Sequence, residues 1–533
     1  MNSQNRFLWQ QVERWAEVDP AFPALRTGEE VITYGEFEKR SDNLAKQFLH
    51  LGIKKGDTIV TMLPCSLEYI ITLIAADKIG AIVVPMDVKF KKADLERFVD
   101  HIRPVLIVSV ESVGNKSVVE IWKEVSKSLK NSKDTHYVFT GSASFGYSFT
   151  ALTAESLPLD SELGDAKLNQ EMDDGLLIVF TGGTTGVPKA ALLSKRNVAV
   201  MAAVEAEILG KYVPGRIKTI ASLPPSHVGG TVEMIGMAIA GGFDIIIHDS
   251  WSPHRVLETI QRERVPWIGG VPTMFAIMLL IPEIGQFDLT CLKIAILSGE
   301  KVESDLIRLI KEKICPNVVI GYGSTEAGSE VTFTELSDRD LEIASGYVGK
   351  PLPGVVISIR DTDGKELSAG EKGEVVIKSP FTIQGYFRMP GEDEAGFTDD
   401  GFCKSGDLGY LTPDGGLYIK GRIKHIIRVG SYTVMPAEVE DVLTQGPGVA
   451  MAAVIGVPDK VYGELAWAVV SPYPGHTIDV ENLTALCTEK LASFKVPKKI
   501  IVWENLPITR LGKVHRVEVQ DKIREMISNN KIQ

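Results

Sequence analysis

Leu176-Leu177-Ile178-Val179-Phe180-Thr181-Gly182-Gly183-Thr184-Thr185-Gly186-Val187-Pro188-Lys189 runs from an apolar stretch straight into a turn rich in glycine and threonine that ends on a lysine. Five apolar residues in a row suit a strand covered on both faces. Gly182, Gly183 and Gly186 let the backbone turn tightly and bring its N–H groups up to an anion. The hydroxyls of Thr181, Thr184 and Thr185 add donors, and Lys189 adds a positive charge. A strand that feeds a phosphate cradle is the reading this pattern favours. It is not a Walker A loop, because no Gly-Lys-Ser/Thr follows at the required spacing. A plain glycine-rich surface turn has the same composition, so the rest of the chain must decide.

Working outward, strand and helix patterns alternate. Thr33 and Glu36 have capping-box spacing ahead of a helical run through Phe37, Leu44 and Phe48. Strands are predicted at Thr58–Leu63, Ala81–Val84 and Val105–Val110, with helices at Ser66–Ile79 (stopped by Gly80) and Ala93–Ile102 between them. Further strands are predicted at Thr219–Leu223, Phe243–Ile247, Lys293–Leu297 and Asn317–Ile320. Residues 125–170 are polar and poorly patterned and read as surface loops. Apolar strands alternating with helices imply parallel sheets with both faces covered. From about 346 to 421 short strands and turns such as Asp363-Gly364 and Asp414-Gly415 predict a small antiparallel β unit. Beyond it, a helix opens near Pro436, strands follow at Ala452–Val457 and Leu465–Val470, and a helix at Leu483–Leu491. The expected organisation is a large α/β part over 1–423 that includes the β unit, then a small α+β domain over 424–533.

The bulk composition narrows the function classes. The chain has 533 residues, enough for two or three cores. A net charge of −12 and the lack of a Lys/Arg run argue against nucleic acid as a partner. The five cysteines form no CxxC pair, so free thiols in a reducing compartment are expected. No secretory signal opens the chain, and the most apolar helical run, Tyr69–Ile79, is too short to span a bilayer and carries Asp77. A cytoplasmic protein without a membrane span is the expectation.

Three more clusters carry chemistry. Gly321-Tyr322-Gly323-Ser324-Thr325-Glu326 follows the Asn317–Ile320 strand, and ligands bind at the carboxyl ends of strands in α/β sheets. There Tyr322 suits stacking on a base, Thr325 donation to a phosphate, and Glu326 a Mg2+ carried by a nucleotide. Lys404-Ser405-Gly406-Asp407-Leu408-Gly409, with Gly421-Arg422-Ile423-Lys424, offers a carboxylate for ribose hydroxyls and a guanidinium beside it. Near the end of the sequence, Thr509-Arg510-Leu511-Gly512-Lys513 presents a lysine on a glycine-hinged loop, suited to charge developing on phosphate and carboxylate oxygens.

The four clusters, in this order and over nearly the whole chain, resemble the adenylate-forming superfamily of acyl-CoA synthetases, aryl-CoA ligases, firefly-type luciferases and peptide-synthetase adenylation domains. Leu223-Pro224-Pro225-Ser226-His227, Gly270-Val271-Pro272-Thr273-Met274, Val348-Gly349-Lys350-Pro351, Val457-Pro458-Asp459 and Tyr462-Gly463-Glu464 match as well. The resemblance implies an ATP-dependent ligase that makes an acyl-adenylate and then a coenzyme A thioester. By that resemblance the Thr181–Lys189 loop holds ATP phosphates and Gly299, Glu300 and Lys301 line the adenine pocket. Gly321, Tyr322, Gly323 and Ser324 face the nucleotide, Thr325 contacts the α-phosphate and Glu326 binds Mg2+. Asp407 takes the ribose with Arg422 nearby, Lys424 is the hinge, Lys513 is the lysine of adenylation, and Gly430 lines the thiol tunnel.

The sequence departs from the commoner family pattern at Gly182 (usually Ser), Ala190 (Gly), Lys195 (His) and His425 (acidic). His227 matches the acyl-pocket mouth. No aspartate stands near it to pair with an amino-acid substrate, and Val228, Gly229, Gly230, Met234, Trp267 and Ile320 suggest an apolar pocket. An aryl, alicyclic or short-to-medium-chain carboxylic acid is the expected substrate. A carrier protein as acceptor, luciferase-type oxygen chemistry and a non-catalytic nucleotide- or acyl-binding relative are the competing readings. The chain ends 20 residues after Lys513, so no fused carrier domain is expected. The oligomeric state stays open between monomer and homodimer.

Overall fold

The computed structural model describes residues 6–128, 135–141, 145–181, 189–302, 304–338, 343, 346–429, 432–459, 461–508 and 514–528. Its centre is a seven-stranded sheet in the order Lys189–Ser194, Gly175–Thr181, Ile82–Pro85, Thr58–Met62, Leu106–Ser109, His136–Phe139, Tyr147–Ser148. All neighbours are parallel except the first pair, where the chain doubles back so that Thr181 stands opposite Lys189. A four-stranded sheet runs Lys218–Ala221, Asp244–Ile247, Pro23–Thr27, Glu30–Thr33. A five-stranded sheet runs Trp267–Gly270, Ile294–Leu297, Val318–Ser324, Ser329–Phe333, Lys350–Pro351, parallel across the first three and antiparallel after. The result is mixed α/β with parallel sheets and a smaller C-terminal domain.

Local chemistry sets the helix ends. Ser66 Oγ accepts from the Tyr69 N–H at 3.3 Å to open helix Leu67–Ile79, and Gly80 closes it at φ 77°. Thr33 and Glu36 exchange bonds of 3.3 and 2.9 Å ahead of helix Tyr34–His50, the capping box expected from their spacing. Asp77, the acidic residue in the apolar run, is wholly buried and ion-paired with Lys195, which is equally buried. The Lys195 ammonium also donates to the Asp77 carbonyl at 2.8 Å, while the Trp9 N–H donates to Asp77 Oδ2 at 3.0 Å. The unusual lysine therefore has a matching carboxylate 118 residues earlier.

Two expectations need correction. Residues 125–170 are not a loop region: they hold strand His136–Phe139, whose Tyr137, Val138 and Phe139 are buried, and helices Phe149–Ala154 and Asp160–Leu168. Nor is Gly321–Ser324 a loop after its strand. The strand continues to Ser324 and folds back as a hairpin, with 325–328 as the turn. Backbone closeness forces this shape, since a Cβ at Gly323 would collide with the Ser329 carbonyl across the hairpin.

The predicted antiparallel unit is a four-stranded meander, Val356–Arg360, Gly373–Lys378, Cys403–Leu411, Leu417–Arg422. The C-terminal sheet pairs Tyr432–Val434, Ile427–Val429, Gly463–Pro472 and Val449–Asp459, with Lys499–Val502 parallel to the long third strand. Helices Pro436–Leu443, Val480–Lys490 and Arg516–Ser528 accompany it. Glu440 and Arg516 join two of these helices in a bidentate ion pair. All five cysteines are free and buried, and no helix among the described residues is long and apolar enough to cross a membrane.

Candidate active site

Four strands end side by side in function. Gly175–Thr181 delivers Thr181, Lys218–Ala221 leads to His227, Ile294–Leu297 leads to Gly299, Glu300 and Lys301, and Val318–Ser324 delivers the Gly321–Glu326 hairpin. Each of these residues lies at a carboxyl end, where an α/β sheet receives its ligands.

The first loop and the hairpin meet directly. Thr181 Oγ1 donates to Glu326 Oε1 at 3.0 Å across 145 residues of chain, and the Tyr386 hydroxyl donates to the same oxygen at 3.3 Å. Burial, and next the Glu326 carboxylate, push the Tyr386 hydroxyl pKa far above its ordinary value, so it stays a donor. Glu326 Oε1 is thus oriented by two hydroxyls. A carboxylate fixed in this way suits a hard cation such as Mg2+. Thr325 sits in the hairpin turn, its carbonyl accepting from the Gly328 N–H at 3.1 Å, and Ser324 Oγ caps the turn by accepting from the Ala327 N–H at 3.1 Å. Lys189 points elsewhere: it pairs with Glu392 at 2.6 Å and its ammonium lies 5.1 Å from the Tyr386 ring centroid.

A second constellation joins the hairpin to the β meander. The Tyr322 hydroxyl donates to Asp407 Oδ2 at 2.8 Å, and Arg422 Nε lies 3.0 Å from Asp407 Oδ1. Arg422 Nη1 also donates to the Ser405 carbonyl at 2.6 Å, and Ser405 Oγ accepts from the Asp407 N–H at 3.0 Å. Burial, then the Asp407 charge, raise the Tyr322 pKa. Tyrosine, aspartate and arginine, drawn from three separate stretches of chain, form one polar patch suited to a ribose and a base.

Glu300 accepts from Thr273 Oγ1 at 2.9 Å, and Gly299 turns the chain at φ 82°. Lys301 reaches Asp441 on helix Pro436–Leu443 and so links this wall to the C-terminal domain. Lys424 lies in the short turn Ile423–His425. Gly182, Gly183, Thr184, Thr185, Gly186, Gly430 and Lys513 lie outside the described residues.

His227 precedes a π-helical turn, Gly229–Gly236, a form concentrated at functional sites. Met234 of that turn and Trp267 line a cavity of about 10 Å³ with Ile268, Gly269 and Met274. Such a space holds about one water. Trp267 is fixed by its Nε1 donating to Thr219 Oγ1 at 3.0 Å, whereas the methionine thioethers are free to adjust. The expected apolar residues Met234 and Trp267 do meet here; Ile320 does not line this cavity.

Two features escaped the sequence reading. Tyr386 carries no local motif. Glu205, Glu233 and Glu330 converge, each offering an oxygen within 4.8 Å of the others. Glu205 and Glu233 interrupt largely apolar runs (Ala202–Ile208, which also holds Glu207, and Gly229–Ala240), whereas Glu330 lies in the mixed stretch Ser329–Phe333 and gives no such signal. Burial, then Glu330 and Glu233, raise the Glu205 pKa well above the carboxylate range.

Comparison with known proteins agrees with this geometry. Residues 12–387 match the AMP-binding enzyme family and residues 438–513 match the C-terminal domain of AMP-binding enzymes. The chain is 31% identical to a putative acyl-CoA ligase of Bacillus subtilis, over 92% of this chain and 94% of that one. It is 30% identical to a feruloyl-CoA synthase of an Amycolatopsis species, over 95% and 97%. Among solved structures it resembles ATP-bound MatB from Rhodopseudomonas palustris, with a TM-score of 0.85 and 27% identity over 99% of this chain and 100% of that one.

Proposed function

Because the chain belongs to the AMP-binding enzyme family, we propose that it is an ATP-dependent acid–thiol ligase that forms an acyl-adenylate and then a coenzyme A thioester. The observation that carries this reading is the pair of polar constellations at the strand ends, Thr181–Glu326–Tyr386 and Tyr322–Asp407–Arg422. One is built for a metal-bound polyphosphate and the other for a nucleoside.

In the first half-reaction a carboxylate oxygen of the acid attacks the α-phosphorus of ATP. A P–O bond forms, the bond to the bridging oxygen breaks, and pyrophosphate leaves. Glu326 would hold Mg2+, which offsets charge on the phosphate oxygens when bound. Asp407 accepts from the ribose hydroxyls, Tyr322 packs on the base, and Thr325 donates to the α-phosphate. Lys513 stabilises the charge gathered between acid and phosphate. In the second half-reaction the thiol of coenzyme A adds to the acyl carbon and AMP leaves. The small domain, residues 424–533, turns about Lys424 so that Lys513 withdraws and the strand near Gly430 borders the thiol path.

The acid is proposed to be aryl, alicyclic or short-to-medium-chain. The support is the apolar cavity wall of Met234, Met274 and Trp267, with Met234 on the π-helical turn that follows His227 in the chain. The feruloyl-CoA synthase relative acts on an aromatic acid, in line with that class.

The test is acid-dependent AMP release from ATP and Mg2+ with benzoate, cyclohexane carboxylate, hexanoate, octanoate and 4-coumarate, with and without coenzyme A. Turnover that needs coenzyme A and one acid, and that falls at least about 100-fold in Lys513→Ala, supports the ligase. Adenylate without thioester points to a carrier protein instead, and ATP binding without adenylate to a non-catalytic relative.

A further inference from the structure

We propose that Glu205, Glu233, Glu330 and Ser329 form a second cation site, separate from the nucleotide's Mg2+, that holds a hard divalent ion behind the acyl pocket. It goes beyond the ligase reading and does not depend on it.

Three elements contribute. Glu205 comes from helix Lys195–Tyr212, Glu233 from the π-helical turn Gly229–Gly236, and Glu330 from strand Ser329–Phe333. Their oxygens all lie within 4.8 Å of one another. Carboxylates around an ion at about 2.3–2.6 Å leave oxygen–oxygen separations of this size. The donor set is oxygen only, which selects Ca2+, Mn2+ or Mg2+ over softer metals.

Two details point to a neutralising partner among these groups. Glu205 is 9% exposed, and among the described residues neither of its carboxylate oxygens meets an N–H or hydroxyl donor, the group facing it being the Glu330 carboxyl. A buried carboxylate without donors is costly unless a proton or a cation neutralises it, and a cation bound by all three carboxylates displaces that proton. Ser329 Oγ lies 2.6 Å from both Glu233 Oε1 and Glu330 Oε2. Its hydroxyl has one proton and donates to only one of them, so the other close pair of oxygens requires either a proton on that carboxyl or a bound cation. Ser329 itself sits at φ 135°, a region a side-chain-bearing residue adopts only under constraint, and such strain gathers at functional positions.

The location gives the ion a task. Glu330 Cγ lies directly behind Gly321, where an added Cβ would meet it at 2.8 Å, and Glu233 lies one turn from Gly229 and Gly230 at the pocket mouth. An ion here ties the nucleotide hairpin to the π-helical turn of the acyl wall.

The test is Mn2+ titration of the metal-stripped full chain without nucleotide, followed by the electron paramagnetic resonance signal of free Mn2+. One equivalent is expected to be withdrawn by the wild type and by Glu326→Gln, and lost in Glu205→Gln and Glu330→Gln. Ca2+ should raise the melting temperature of the wild type and leave that of Glu205→Gln unmoved. If the glutamine variants do not fold, Ser329→Ala keeps every carboxylate and should weaken Mn2+ binding about tenfold. No stoichiometric Mn2+ uptake by the wild type overturns the proposal, as does equal uptake by Glu205→Gln. Glutamine variants that melt higher than the wild type with no metal bound also overturn it, since protons alone then neutralise the cluster. Uptake lost only in Glu326→Gln overturns it too, because the ion then belongs to the nucleotide site.

Discussion

Asp77 with Lys195, and Glu205 with Glu233 and Glu330, are charged groups taken into the same domain interior by different routes. The first is a balanced pair: the ammonium meets a carboxylate and a carbonyl, and the carboxylate also takes a backbone N–H. Both members are sealed from water and lie away from the strand ends that gather the nucleotide residues. The second group has carboxyl groups only, and one of its members meets no N–H or hydroxyl donor among the described residues. Its elements are those that border the acyl wall and the nucleotide hairpin. The difference teaches how to sort buried charge in this molecule. Where partners are complete, the charge joins structural elements; where they are incomplete and beside a pocket, it awaits a ligand.

The largest way to break the comparison is to unbalance the balanced pair. Lys195→Met leaves the Asp77 carboxyl buried without its ammonium partner and with one backbone donor, and should lower unfolding stability by about 3–5 kcal/mol. Adding Asp77→Leu should return most of that loss, because two apolar groups of similar volume need no compensation. Urea unfolding of the single and double variants reads both effects. A double variant as unstable as the single would mean that shape, not charge balance, is what the pair supplies.

A smaller effect is expected where a complete set of partners serves chemistry. Tyr386→Phe removes one of the two hydroxyls that orient Glu326 Oε1. It should slow adenylate formation about tenfold, about 1.4 kcal/mol in the barrier, with little change in melting temperature. Mg2+ dependence of AMP release is the discriminating readout, since a purely structural role would not raise the Mg2+ requirement.

His248 sharpens the comparison from the side of pH. It is buried just after strand Asp244–Ile247, with Nε2 3.2 Å from Thr259 Oγ1 and Nδ1 without a partner among the described residues. Burial first, then Arg255, push its pKa down from 6.5 to about 4, against a smaller upward pull from Asp249. The unfolded chain therefore takes up a proton before the folded one does. The contribution is fully present above pH 6.5 and is lost as pH falls from 6.5 towards 4. With allowance for partial solvent screening, the wild type should lose about 1 kcal/mol more than His248→Asn between pH 7 and pH 5. Equal losses would show that His248 takes up its proton over the same pH range in the folded and the unfolded chain.

These groups also show where the sequence was legible. Helix ends were, because Ser66, Gly80, Thr33 and Glu36 act on backbone within three residues of themselves. The place of Thr325 and Glu326 at a strand's carboxyl end was, because they sit in a hairpin turn whose close backbone approach Gly323 permits. Strand His136–Phe139 was not, since four residues carry little periodicity and its place is fixed by pairing with Leu106–Ser109, 30 residues earlier in register. Gly321–Ser324 read as loop because glycines disfavour strands, yet the hairpin partner Ser329–Phe333 holds it extended. Tyr386 was invisible because its partner Glu326 is 60 residues away. The glutamate group was half-visible: Glu205 and Glu233 break largely apolar runs, but only the tertiary packing brings them to Glu330.

The smallest effect concerns a charge pair that joins the two domains and is not sealed from water. Lys301 and Asp441 are each about a quarter exposed, and they join the wall after strand Ile294–Leu297 to helix Pro436–Leu443. A pair in this setting contributes about 0.2–1 kcal/mol. So weak a link suits a contact that is broken and remade as the small domain turns, whereas a sealed pair like Asp77–Lys195 would lock it. Lys301→Ala should therefore barely change unfolding stability. It should shift the balance between half-reactions: single-turnover adenylate formation falls a few-fold, while thioester formation from preformed adenylate holds or rises. The charge-reversed double variant Lys301→Asp/Asp441→Lys should restore the wild-type ratio. Equal slowing of both half-reactions would mean that the pair steadies the wall itself and favours neither orientation of the small domain.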